Sequence, residues 1–156
     1  MNTWIAPQPK HLFRGPNLAG LLALYESNYA KLWRLFPLNQ HHRHQLVSHV
    51  PDDFPLHLYQ LQRSRYTTTY QLTYFFLHDD RWVADPDLHV RVYHDAHQAE
   101  SIYAGSNPTA FSQGCTLKHH NALRQKWELN ILLNKWLRYC LDHGHHFKPA
   151  QDEAKA

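Results

Sequence analysis

The run Asp87-Leu88-His89-Val90-Arg91-Val92-Tyr93-His94-Asp95-Ala96-His97-Gln98-Ala99-Glu100 decides how this chain is read. Leu88, Val90 and Val92 alternate with His89, Arg91 and Tyr93, so an extended backbone turns an oily face to one side and a polar face to the other. The stretch is therefore a half-buried strand. His94 to His97 close it or form the turn beyond, and Gln98 to Ala104 returns as its hairpin partner. His94, His97, Asp95 and Glu100 bring two imidazoles and two carboxylates to the end of that strand or the turn beyond, more potential chemistry than in any other segment.

Upstream, residues 56–77 contain neither Gly nor Pro. Fully extended they would reach roughly 70 Å at about 3.3 Å per residue, too long for one strand of a small domain. The polar group Gln62, Arg63, Ser64 and Arg65 supplies the turn of a hairpin, with Leu56 to Leu61 and Tyr66 to Phe76 as its arms. In the second arm Tyr66, Thr68, Tyr70, Leu72, Tyr74 and Phe76 share one face, and Thr67, Thr69, Gln71 and Thr73 the other. Such a stripe can stack bases, but Leu72 and Phe76 within it favour a core face whose tyrosine hydroxyls need partners. Leu46, Val47 and Val50 form a short strand before the Pro51-Asp52-Asp53 turn. Residues 78–86, with Asp79, Asp80, Arg81 and Asp85 around Trp82, read as a loop.

Two helices flank this block. Asn17 offers an N-cap oxygen, and Leu18, Leu21, Leu22, Tyr25, Tyr29, Leu32, Trp33 and Phe36 recur at helical spacing until Pro37 forbids continuation. Beyond Gly105-Ser106-Asn107-Pro108 and a long connection over residues 110–120, residues 121–143 form the clearest element. Leu129, Leu132, Leu133, Trp136, Leu137, Cys140 and Leu141 mark its apolar stripe, and Gly144 supplies a left-handed cap.

The chain has 156 residues, one domain's worth, and a formal charge of +3 with its fifteen histidines neutral. Its Lys and Arg are scattered rather than gathered into a patch, which argues for solubility over dedicated nucleic-acid binding. Cys115 and Cys140 are the only cysteines; Cys140 sits in an apolar helical pattern and reads as a buried thiol, not half of a disulfide. Residues 1–10 lack a signal-peptide core, and no apolar run of about twenty residues occurs, so a cytoplasmic protein without membrane contact is expected. His41, His42 and His44 around Arg43 resemble a metal tract in composition only. Neighbouring loop residues rarely converge on one ion, so neither metal nor cofactor is assigned.

Several stretches resemble the DUF1249 family, small proteobacterial proteins of unestablished function. The resemblance lies in Asn28, Leu32, Arg34, Leu35 and Pro37, and in Arg65, Tyr66, Thr67 and Thr68. It continues through Val90 to Ala96 with Ala99 and Glu100, and closes with Lys126, Asn130, Trp136 to Leu141, His143 and Gly144. It covers about Tyr25 to Gly144 and implies a stand-alone bacterial cytoplasmic domain without a known activity.

The expectation is an α+β domain over residues 17–144, an antiparallel sheet of four to six strands with the N-terminal and the long C-terminal helix packed on one face. An irregular arm, residues 1–16, precedes it, and a polar tail, residues 145–156, frays beyond it. Arg91 and Lys126 can receive an anion while His94, Asp95 or Glu100 moves a proton. Arg65, Tyr66, Tyr93 and Asn130 complete the candidate ligand-binding set. Asn130, one turn after Lys126, can instead satisfy buried backbone groups, and a structural ion pair from Arg91 to Asp95 or Glu100 is the favoured account of that arginine. No phosphate-cradling glycine loop, Ser-centred elbow or two-histidine helix motif occurs. The leading expectation is accordingly a non-enzymatic binding or regulatory protein contacting a partner protein or a small anionic ligand. An enzyme of unrecognised mechanism acting on an anionic metabolite through Arg91, His94, Asp95 and Glu100 is the second reading. RNA or single-stranded DNA binding is the third.

Overall fold

In the computed structural model, residues 16–38, 44–105 and 119–148 are described. Helix α1 spans Leu18–Leu35, and Asn17 caps it as its sequence implies, the side-chain oxygen accepting the Gly20 N–H at 2.7 Å. Its buried face runs through Leu21, Leu24, Tyr25, Asn28, Leu32 and Leu35. Leu18, Leu22 and Trp33, which periodicity also placed on the oily side, are exposed. The buried stripe contains a polar residue, Asn28, and a count of apolar positions alone rotates the face away from it.

Five strands follow: β1 (Gln45–Ser48), β2 (Leu56–Arg63), β3 (Thr67–His78), β4 (Arg81–Tyr93) and β5 (Gln98–Gly105), each antiparallel to the one before, in the spatial order β1-β2-β3-β4-β5. The hairpin turn inferred between residues 61 and 66 is present, and Leu88, Val90 and Val92 are fully buried. The loop expected over residues 78–86 is not. Leu77 pairs with Trp82 and His78 with Arg81, leaving Asp79 and Asp80 as a two-residue turn with φ of 47° and 59°. Two successive positive φ values suit a tight hairpin, and Asp is among the few non-glycine residues that accept them. Pro86, within that expected loop, falls at a register shift: Thr73 pairs with Asp87 and Phe75 with Ala84, so Tyr74 alone faces Asp85 and Pro86. A bulge tolerates a residue that has no N–H to donate.

Helix α2 (His119–Asp142) closes the structure. Both helices cover one face of the sheet, where Leu32, Leu35, Phe36, Leu133, Trp136, Leu137 and Cys140 meet Leu58, Tyr70, Leu72, Tyr74, Leu88, Val90 and Val92. Tyr70 and Tyr74 therefore belong to the core. Gly144, at φ +84°, ends α2 with two backbone bonds, Gly144 N–H to Leu141 O and His145 N–H to Cys140 O, both 3.0 Å. This double cap swings the chain back toward the sheet. The fraying expected from residue 145 is absent from the described residues 145–148: His145 and Phe147 are buried, and the Phe147 N–H donates to Leu35 O at 2.8 Å. The helix spaces its polar residues regularly, but the cap decides which residues beyond it point inward.

The arm over residues 1–15, the Cys115 thiol, and His41, His42 and Arg43 lie outside the described residues. No described helix is long and apolar enough to cross a membrane.

Candidate functional site

Alternate residues of the central strands face away from the helices. On that side Gln62 pairs with Thr69, Thr69 with Arg91 and Arg91 with Glu100; one step along, Thr67 pairs with Tyr93. Gln62, Ser64, Thr67, Thr69, Arg91 and Tyr93 line a depression of about 280 Å³. One guanidinium, three hydroxyls of Ser and Thr, one carboxamide and one phenol thus border a single concavity.

The ion pair expected between Arg91 and Asp95 or Glu100 does not form. Among the described residues no carboxylate reaches ion-pair distance of Arg91. Although Glu100 sits opposite Arg91 in the ladder, its carboxylate is taken by two phenols: the Tyr93 hydroxyl donates to Oε1, and Tyr25 reaches the same group from α1. Arg91 acts on the Tyr93 phenol in the opposite sense to Glu100, favouring its ionised form. Burial comes first in pushing both phenols above their ordinary range, followed by the Glu100 charge at Tyr25 and by the hydrogen bond to Glu100 at Tyr93. They act as neutral donors to the carboxylate, and Arg91 lines the depression.

The other candidates disperse. His94 occupies the turn after β4, where its Nε2 lies 2.8 Å from the Thr68 hydroxyl, a buried group on the helix side of the sheet. Burial, followed by the charge of Arg63, lowers its pKa, so the ring is neutral at neutral pH. Asp95 is exposed in the same turn. Arg65 and Tyr66 stand exposed at the β2–β3 turn, the guanidinium 5.1 Å from the ring centroid. Lys126 is exposed on α2, and its carbonyl accepts the Asn130 amide at 2.7 Å.

Asn130 belongs to a structural device. Its Oδ1 accepts the Ser101 N–H at 2.7 Å and an Asn28 amide hydrogen at 3.3 Å, and Asn28 also approaches Ala99 O at 3.4 Å. Ala99 O and Ser101 N–H lie on the outward side of β5, the strand at the sheet edge. Two buried asparagines, one from each helix, thereby take the place of a sixth strand.

A second polar cluster escaped sequence reading. Asp53 Oδ2 accepts the Tyr74 hydroxyl at 2.7 Å and lies 3.0 Å from His145 Nε2, and His145 Nδ1 lies 3.0 Å from Ser48 Oγ. A serine, a histidine and an aspartate in line suggest nucleophilic chemistry, but the His145 side chain is 0% exposed and that of Asp53 5%. Ser48 Oγ also accepts the His146 N–H at 3.1 Å. With these partners the hydroxyl fastens the segment after α2 to the end of β1. One clue was available beforehand: Tyr74 on a core face required a partner for its hydroxyl.

A family model described as "Protein of unknown function (DUF1249)" matches residues 31–146. The "Uncharacterized protein YqiB" of Escherichia coli strain K12 is 32% identical over 133 residues, covering 83% of this chain and 91% of that protein. The proteins of the same description from strains O6:H1 and O157:H7 give the same values. No solved structure matches.

Proposed function

Since the chain belongs to the DUF1249 family, whose description assigns no activity, its role is read from its own geometry, and we propose that it is a cytoplasmic binding protein that takes a small anionic ligand at Arg91. One observation carries this reading. The carboxylate opposite Arg91 is satisfied by Tyr93 and Tyr25, so the guanidinium borders a polar depression without a charge partner among the described residues. A guanidinium presents a planar fork suited to carboxylate or phosphate, and Gln62, Ser64, Thr67 and Thr69 add neutral polar groups around it.

Binding is preferred to catalysis because the groups that would move a proton are engaged or stand elsewhere: His94 is bonded to Thr68, Asp95 projects from the turn, and Glu100, opposite Arg91, accepts the Tyr93 phenol. The test is calorimetric titration of the full chain with inorganic phosphate, small organic phosphates and dicarboxylates. Arg91→Gln is expected to weaken binding by about tenfold or more, the worth of a charge-assisted contact. Unchanged affinity in that variant, with circular dichroism confirming its fold, would remove the reading.

A further inference from the structure

We infer that the anion held at Arg91 is the phosphate of a nucleoside monophosphate unit whose base lies on the aromatic row one step along the sheet, at His89 and Tyr103. This rests on the reading of the depression as an anion site and adds what the anion is attached to.

Next to the line Gln62, Thr69, Arg91, the same face carries a second line in which Tyr59 pairs with Gln71, Gln71 with His89 and His89 with Tyr103. Two residues along a strand separate the lines by about 7 Å, a separation a pentose can bridge between its phosphate and its base. A sugar phosphate or a dicarboxylate would need further polar groups along this second line, where three of the four side chains are rings.

The outermost ring is laid down as a platform. Tyr103 is 49% exposed, and the His89 ring borders it with centroids 4.7 Å apart and planes tilted by 50°, so the stacking face is that of Tyr103 with His89 at its edge. It runs over Gly105: a Cβ there would come within 2.6 Å of the phenol oxygen and 2.8 Å of Cε1, so any other residue at 105 would lift the ring. The His89 ring is tethered as well, with Nε2 3.4 Å from Asp87 Oδ1, an oxygen that also accepts the Gln71 amide at 2.9 Å. Held aromatic faces stack bases of any identity. One guanidinium serves the depression, and Glu100 and Asp87 lie on the same sheet face, so a single phosphate suits the site better than a di- or triphosphate.

The full chain is titrated with adenosine 5′-monophosphate, uridine 5′-monophosphate, ribose 5-phosphate and inorganic phosphate, followed by calorimetry and by backbone amide shifts. Both nucleotides are expected to bind more tightly than ribose 5-phosphate by about tenfold, the worth of one stacked base. Tyr103→Leu should lower nucleotide affinity by about fivefold or more and leave ribose 5-phosphate unaffected, while Arg91→Gln weakens both. Gly105→Ala, which displaces the ring without removing it, should act like Tyr103→Leu. A mixed single-stranded oligonucleotide distinguishes the source. A strand-borne unit binds more tightly as the oligonucleotide, with affinity falling steeply with salt; a free nucleotide binds at least as well alone. Equal affinity for nucleotides and ribose 5-phosphate, unmoved by Tyr103→Leu, overturns this inference and leaves the anion site standing. Absence of binding by every phosphate overturns both.

Discussion

Asp53 shows how a single side chain can carry a pH dependence. Burial pushes its carboxyl upward, but hydrogen bonds from Tyr74 and His145, and then from the Phe54 N–H, outweigh this and hold it below the usual carboxylate range. A carboxyl with a lower pKa folded than unfolded contributes stability above its unfolded value of about 3.9. That contribution is lost as pH falls through the depressed folded value. Urea unfolding followed from about pH 7 down to about pH 3 is expected to show this acid-side loss. Asp53→Asn should lack that part of the slope and cost about 1–3 kcal/mol at neutral pH. His57 carries the opposite lesson: its Nδ1 is buried without a hydrogen-bond partner among the described residues, and burial lowers its pKa. Packed edge-on against Phe75 with centroids 4.9 Å apart, it can be replaced by an apolar ring, and His57→Phe should raise stability by about 1 kcal/mol. The thermal midpoint would then rise by about 2–4 °C. Cys140, fully buried beside the Tyr74 hydroxyl, has its thiol pushed up to about 12 by burial. In a Cys115→Ser background a thiol reagent at mild pH should modify it only as fast as the protein unfolds.

At the scale of elements, the two helices do more than cover the sheet. Asn28 and Asn130 each sit at 0% exposure and together satisfy the outward backbone groups of β5. Asn130→Leu, close in volume, would strand the Ser101 N–H and the Asn28 amide, and a cost of about 2–4 kcal/mol is expected. Hydrogen exchange reads the same contact directly: the Ser101 amide should be protected in the native chain despite lying on an edge strand, and should exchange fast in the variant. The end of α2 is equally specific. Gly144 at φ +84° has nothing within 4 Å of the position a Cβ would take, so Gly144→Ala tests backbone conformation and not crowding. The left-handed penalty of about 1–2 kcal/mol should appear, and because the cap delivers His145 to Asp53, the acid-side loss of stability should shrink with it. These devices were partly readable. Gly144 after a helical pattern announces a cap, and Asn17 announces a start, since both effects act within a few residues. The roles of Asn28, Asp53 and His145 were not readable, because each bonds a partner more than 70 positions away.

For the molecule as a whole, the described helices lie on one face of a five-stranded sheet, and among the described residues the opposite face is left to Thr, Gln, Arg, Tyr and His side chains. The candidate site arises from that asymmetry. Arg91 and Glu100 were legible as neighbours through a hairpin, but Glu100 is engaged by Tyr93 of that hairpin together with Tyr25 of α1, and the second of these is set by packing alone. Likewise the tyrosine stripe of β3 is core, while the aromatic row on the other face is assembled from β2, β4 and β5, one ring from each, and no single segment displays it. Alternation along residues 87–100, helical spacing at either end and turn-forming residues between determine an antiparallel α+β domain with one covered face, because these are local consequences of backbone periodicity and apolar burial. Which polar groups meet, which carboxylate is satisfied and which guanidinium is left facing a depression were decided only when distant segments packed. Hydrogen bonds act over about 3 Å, and the sequence carries no coordinate on that scale between residues far apart in the chain.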